Sequence, residues 1–187
     1  MKWRRLCPIP ALLLAGGFAA YWWWQARLER SQDGPIRAAA QRYGMEPALI
    51  KAVVWRESHF HPRARGRAGE VGLMQLQEVA AREWAAAEHR DGFEHEDCLD
   101  PGTNTLAGTW YLRKLLRRYA QTDNPLPFAL ADYNAGRANV LKWARGAAAT
   151  NSAAFVEQIG FPGTKAYVRS VLRRHAHYQP LFPPEAP

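Results

Sequence analysis

The strongest limit on what this chain can fold into is its punctuation. From Pro35 onward apolar residues recur at helical spacing, broken by Pro, Gly and Asp, and no alternating run of β-branched residues intervenes. Without strand-like alternation there is little to build a sheet from, so the predicted fold class is all-α. Pro35 opens one helix with Gly44 just past its end, and Pro47 opens the next, the usual asymmetry of helix ends. Further helices are predicted over residues 73–88, 103–121, 127–134, 137–145 and 164–178. Residues 29–34 are polar and read as a linker. The Gly- and Arg-rich stretch 61–71 reads as an exposed loop, and the tail 179–187, with four prolines, as irregular.

The amino-terminal segment carries a separate signal. Lys2, Arg4 and Arg5 precede residues 6–26, which hold no charged side chain and would span roughly 30 Å as a helix. Trp22, Trp23 and Trp24 close the run where an interfacial aromatic belt belongs. The expectation is one membrane-spanning anchor with the amino terminus in the cytoplasm and the rest of the chain exported. A cleaved signal peptide, cut near Gly17, Ala19 or Ala20, is the alternative. Cys7 stands at the start of this run instead of at its end, which argues against a lipoprotein.

Charge and cysteine content narrow the classes further. The net charge is +8, and about half of the excess lies in the first thirty residues, so the remainder is only mildly basic. Such a surface suits any polyanion and selects none. No nucleic-acid-binding module and no basic stripe interleaved with aromatics is present, so a nucleic-acid partner is not expected. Cys7 and Cys98 are the only cysteines, too few for a disulfide framework, and neither has metal-ligand spacing. His95, Glu96, Asp97 and Cys98 are adjacent, and four consecutive side chains do not converge on one ion; they read as a charged loop. Arg113, Lys114, Arg117 and Arg118 read as a solvated helix face.

One position resists a purely structural reading. In the helix opened by Pro47, Ile50, Val53 and Val54 form an apolar stripe, and the next position on it, seven residues from Ile50, is Glu57. Burial and a helix carboxyl end both disfavour the charged carboxylate, so its pKa should rise. That is the property wanted in a general acid at neutral pH.

Around Glu57 the sequence has three blocks: Glu57-Ser58, then Gly72-Leu73-Met74-Gln75-Leu76, then Ala131-Asp132-Tyr133-Asn134-Ala135-Gly136, with Tyr167 in a later helix. Asp100-Pro101 through Asn104, with Ala107-Gly108 and Tyr111-Leu112, lies between the second and third. In this order and spacing, over residues 43–178, they resemble the catalytic domain of the soluble-type lytic transglycosylases, a family with the lysozyme-like fold of goose-type lysozymes. The resemblance implies a division into an anchor or signal segment (1–30), a linker and first helix (31–44), a catalytic domain (45–178) and a tail (179–187).

It also implies roles. Glu57 matches the catalytic acid and base, and Ser58 its neighbour near the acetamido or peptide part of the substrate. Met74 and Gln75 match residues lining the glycan groove, although Met74 could equally be core. Tyr133 and Asn134 match the floor of the site, and could otherwise be an ordinary helix end. Tyr167 matches a tyrosine whose hydroxyl holds the catalytic carboxylate. The chain departs from the pattern at Gln77-Glu78, where a Met-Pro pair is common, and at Asp132, where a small residue is common.

The implied reaction breaks the β-1,4 bond between N-acetylmuramic acid and N-acetylglucosamine of peptidoglycan without water, leaving 1,6-anhydro ends, and needs no metal or cofactor. A lysozyme-type hydrolase remains the nearest alternative, with Glu70 or Asp132 as a second carboxylate. A non-catalytic glycan-binding module of an envelope-spanning machine is the other, opposed by the presence of Glu57.

Overall fold

The computed structural model describes residues 9–182. Lys2, Arg4, Arg5 and Cys7, and the last five residues of the predicted tail, lie outside them. Among the described residues regular structure is helical, apart from isolated bridges joining Arg65, Val71 and Leu76.

Helix α1 (Ile9–Ser31) runs almost directly into α2 (Asp33–Tyr43). The predicted linker at 29–34 is therefore helical. The reason is tertiary: Lys51 of α3 (Pro47–Ser58) is buried and bonds Asp33 at 2.7 Å, with Glu29 at 3.8 Å, so polar residues at the junction have a partner to order them. The predicted membrane-spanning run, residues 6–26, begins outside the described residues. Among the described residues no helix is long and apolar enough to cross a membrane. The uncharged part of α1 contains Gly16, Gly17 and Gln25, and much of its bulk is Tyr21 to Trp24, whose rings carry polar tips.

The ends of α2 and α3 follow the sequence. Gly44 takes the left-handed conformation (φ 61°) that a residue with a side chain adopts at a cost, and caps α2 by donating to the Ala40 carbonyl. Pro47 occupies the first turn of α3. Ile50, Val53 and Val54 are fully buried, as the stripe requires, but α3 is covered on its other sides too, with Leu49, Lys51 and Ala52 also inside. It is the central helix, packed mainly against α9 (Pro162–Tyr178) and α2.

The helix predicted over 73–88 begins only at Glu78, as α4 (Glu78–Ala87). Residues 71–76 instead close a tight turn in which Val71 and Leu76 exchange backbone hydrogen bonds of 3.1 and 3.0 Å. Helix α5 (Pro101–Arg118) starts two residues earlier than predicted, its first turn capped by the Asp100 carboxylate accepting from the Thr103 amide. Asn124 caps α6 (Pro125–Ala135) in the same way, and α7 (Arg137–Trp143) follows at Gly136. Three short elements had no periodic signal: a 3-10 turn at His95–Leu99, where the expected charged loop lies, another at Gly146–Ala149, and α8 (Ser152–Gln158). The tail likewise begins in order, with a 3-10 turn at Gln179–Leu181 and Phe182 buried under the Arg37 guanidinium.

Helix α5 packs against α2 and α6, α6 packs against α9, and Phe128 of α6 stacks on Phe155 of α8 at 4.0 Å between ring centres. The carboxyl end of α3 is left facing the turn at 71–76 and the end of α6. A groove forms there.

Candidate active site

Glu57 sits in the last turn of α3, half-buried. Its carboxyl accepts one hydrogen bond, from the Tyr167 hydroxyl of α9 to Oε1 at 2.6 Å, which leaves Oε2 for a ligand. Tyr167 is itself 1% exposed, so it braces Glu57 from behind. Burial pushes the Glu57 carboxyl up to about 7; the Tyr167 hydroxyl and the nearby Arg56 charge oppose the rise, and the charge of Glu70 adds to it. A group with that pKa holds and releases its proton equally well near neutrality.

Two hollows meet at this carboxylate. One, of about 460 Å³, is lined by Glu57, Glu70, Gln75, Tyr111, Tyr133 and Asn134, among others. The second, of about 610 Å³, runs the other way past Ser58, His59, His61 and Arg63. Glu57 and Gln75 belong to both, so a linear polymer lying in the groove would cross the carboxylate between its ends.

Gln75 is placed there at a cost. Its φ is +46°, a left-handed conformation unfavourable for a residue with a side chain, and its side-chain amide donates to the Gly72 and Ala64 carbonyls at 2.9 and 3.2 Å. The Tyr133 hydroxyl donates to the Met74 carbonyl at 2.7 Å while its ring meets Tyr111 at 5.8 Å; burial, then the Glu57 charge, raises the Tyr133 pKa well above the ordinary tyrosine value. Asn134 accepts from the Thr164 hydroxyl at 2.8 Å, which ties α6 to the start of α9. Ser58 lines the second hollow, but its hydroxyl points inward, 2.7 Å from the Leu73 carbonyl and 3.2 Å from that of Val54.

Met74 departs from expectation. It is fully buried and its side chain does not line the groove. The space it enters exists because position 108 of α5 is glycine: a Cβ there would lie 2.4 Å from the Met74 sulfur. What Met74 gives the site is its backbone carbonyl, which holds Tyr133.

The two possible second carboxylates also separate. Asp132 lies at the groove edge, but its side chain is 2% exposed and its Oδ2 accepts from both Arg118 and Tyr119 at 2.7 Å. It is committed to joining α5 and α6. Arg118 is accordingly part of a buried pair, not of a solvated basic face. Glu70 lines the same hollow as Glu57, its Oε2 accepting from the Ala68 amide at 3.1 Å.

Two residues of the site carried no assigned role in the sequence reading. Tyr111 walls the groove beside Tyr133, and its only signal was a place in the block between the second and third motifs. Asn104 is fully buried and holds the turn in shape: its amide donates to the Val71 and Cys98 carbonyls at 2.9 and 2.8 Å, and its oxygen accepts from the Met74 amide at 2.7 Å. A buried asparagine that uses its whole amide on backbone groups is invisible to periodicity. Among the described residues no cluster of His, Cys, Asp and Glu has the geometry to hold a metal ion; His95 bonds the Leu76 carbonyl at 2.9 Å.

Comparison with known proteins places this geometry. Residues 34–156 match the Transglycosylase SLT domain family. A membrane-bound lytic murein transglycosylase F from Desulfosudis oleivorans is 41% identical over 108 residues, 56% of this chain and 22% of that protein. The soluble lytic murein transglycosylase of Escherichia coli K12 is 35% identical over 130 residues, 68% of this chain and 20% of that protein. Among solved structures, an inactive mutant of the lytic transglycosylase Slt from Pseudomonas aeruginosa superposes with a TM-score of 0.70 at 26% identity, over 78% of this chain and 23% of that one. The 70 kDa soluble lytic transglycosylase of Escherichia coli gives 0.68 at 29%, over 78% and 24%. This chain thus spans between a fifth and a quarter of the length of these proteins. The family match over residues 34–156 and the fold shared with these proteins are accounted for by common descent: the chain belongs to the transglycosylase SLT domain family.

Proposed function

We propose that the chain is a peptidoglycan lytic transglycosylase in which Glu57 acts first as acid and then as base. The observation that carries this reading is the state of that carboxyl: half-buried, held by a single hydroxyl, with a pKa of about 7, and open to a groove on both sides.

Glu57 gives its proton to the oxygen bridging N-acetylmuramic acid and N-acetylglucosamine as the C1–O bond breaks. The substrate's own N-acetyl oxygen stabilises the electron-poor C1. The Glu57 carboxylate then takes the proton of the C6 hydroxyl as O6 bonds to C1 and closes the 1,6-anhydro ring. The proton Glu57 loses in the first half is regained in the second, so one carboxyl serves both. Gln75, Tyr133 and Asn134 position the sugar, Tyr167 orients Glu57, and Ser58 fixes the turn at 71–76 against α3. We read residues 45–178 as the catalytic unit, because α9 supplies Tyr167. We further read the amino-terminal stretch as an export or tethering segment that places this unit on the periplasmic side; reporter fusions after Arg30 active only in the cytoplasm would overturn that placement.

Hydrolysis with Glu70 as second carboxylate is the competing reading, favoured by the place of Glu70 in the same hollow. Mass spectrometry of products from purified sacculi separates the two. The transglycosylase leaves 1,6-anhydro-N-acetylmuramic acid ends, whereas a hydrolase leaves reducing ends heavier by one water.

A further inference from the structure

A site that selects the end of a polymer differs from one that accepts its middle in one respect: it must obstruct the unit that would come next. Preference for an end is a rejection of everything longer, and rejection needs a repulsive element, here a wall beyond the last sugar bound. The groove at Glu57 can be followed in both directions for such a wall.

In one direction lies the hollow of about 460 Å³, whose lining includes Gln77, Asn134 and Gly136, all three exposed. Gly136 joins α6 to α7, and a side-chain carbon placed on it would meet nothing within 4 Å, so the space beside it is open. Gln77 stands just before α4, and its side chain is not folded back to cap that helix. In the other direction lies the hollow of about 610 Å³, lined at and beyond the end of α3 by His59, His61, Arg63 and Arg65, again all exposed. Glu57 and Gln75, which the hollows share, are half-buried. The groove is therefore deepest at the carboxylate and opens to solvent among exposed residues on either side of it.

We infer that a glycan strand lies through the whole groove and is cut at interior bonds, so that the chain is endolytic and needs no strand end. The inference rests on the reaction proposed above and adds to it where along a strand the bond is broken. With both hollows filled, sugars on each side of the scissile bond contribute binding, and neither opening penalises a further sugar.

The test uses the full chain on long, uncrosslinked synthetic glycan strands, free or capped at both ends. The non-reducing N-acetylglucosamine is capped by enzymatic galactosylation, and the reducing end by reductive amination with a bulky amine. Fragments of intermediate length should be the first products, and capping should change kcat/KM by less than about twofold. Release of disaccharide units while long strands persist, or a loss of more than about tenfold on capped strands, would overturn the inference even with 1,6-anhydro ends on the products. Gln77→Trp puts a bulky ring at one opening, with circular dichroism to verify the fold. That variant should give shorter first fragments and lose about fivefold or more on capped strands. Fragment lengths and cap tolerance equal to the parent's would show that no strand leaves by that opening, which also overturns the inference. Reducing ends in place of 1,6-anhydro ends would defeat the lyase chemistry and leave the place of cutting to the same length measurement. No cleavage of either substrate by the parent chain would defeat both.

Discussion

Helix α3 carries two charged groups toward the interior, and the protein treats them in opposite ways. Lys51 is surrounded by compensation: Asp33 at 2.7 Å, Glu29 at 3.8 Å, and the rings of Phe60, Tyr178 and Phe182 between 5.2 and 5.8 Å from its ammonium. Glu57, in the helix's last turn, is given one tyrosine hydroxyl and no ion pair. A charge kept for architecture is neutralised, whereas a charge kept for chemistry is left unbalanced so that its proton can leave.

The largest effect should come from removing the unbalanced group. Glu57→Gln keeps the shape and should lower turnover on sacculi by about a thousandfold or more, with an unchanged circular dichroism spectrum. Near-normal turnover would place the acid elsewhere. The same substitution should stabilise the fold in one pH range only. The Glu57 pKa is raised in the folded state, so the stability tied to its protonation is present at pH 4 and lost as pH rises through about 7. Urea unfolding at pH 8 should show the variant more stable by about 2 kcal/mol, with the gap closing toward pH 4.

The compensated group should behave in the reverse manner. Lys51→Met strands Asp33 and Glu29, each 32% exposed, and should cost about 2–3 kcal/mol in urea unfolding while the folded fraction keeps its turnover. A loss of turnover without a loss of stability would break the contrast.

Smaller changes sharpen it. Tyr167→Phe removes a donor that favours the carboxylate form, so the Glu57 pKa should rise further, moving the alkaline limb of the kcat/KM profile upward and lowering kcat about tenfold. Glu70→Gln removes a charge that pushes Glu57 up, and should move that limb the other way with turnover kept within about threefold. Loss of turnover there, with reducing-end products from the parent chain, would turn the assignment to hydrolysis.

How much of this was legible in the sequence depended on where the deciding contacts lay. Gly44, Pro47 and the stripe ending at Glu57 are local features, and the helices they mark and the face they bury follow from them. The turn at 71–76 looked helical because its partner, Asn104, is thirty residues away and periodicity does not see it. Met74 turned inward for a comparable reason, since only a glycine at 108 leaves room for it. Residues 29–34 looked like a linker until Lys51 ordered them. Asp132 looked like a possible second catalytic acid, and only the approach of Arg118 and Tyr119 shows it to be a bolt between helices.

The Asn104 knot has a consequence for the order in which the molecule comes together. Its bonds to Met74 and Val71 join residues 30 and 33 apart, Tyr133 reaches Met74 across 59, and Tyr167 reaches Glu57 across 110. Each closes a long loop, which is slow and entropically costly compared with forming a helix. The groove should therefore be completed late, after the helices that frame it have formed, and be the first region to come apart. In native-state hydrogen exchange the amides of Val71, Met74 and Leu76 should open at lower free energy than those inside α3, so that the protein passes through a form with its scaffold standing and its catalytic floor undone.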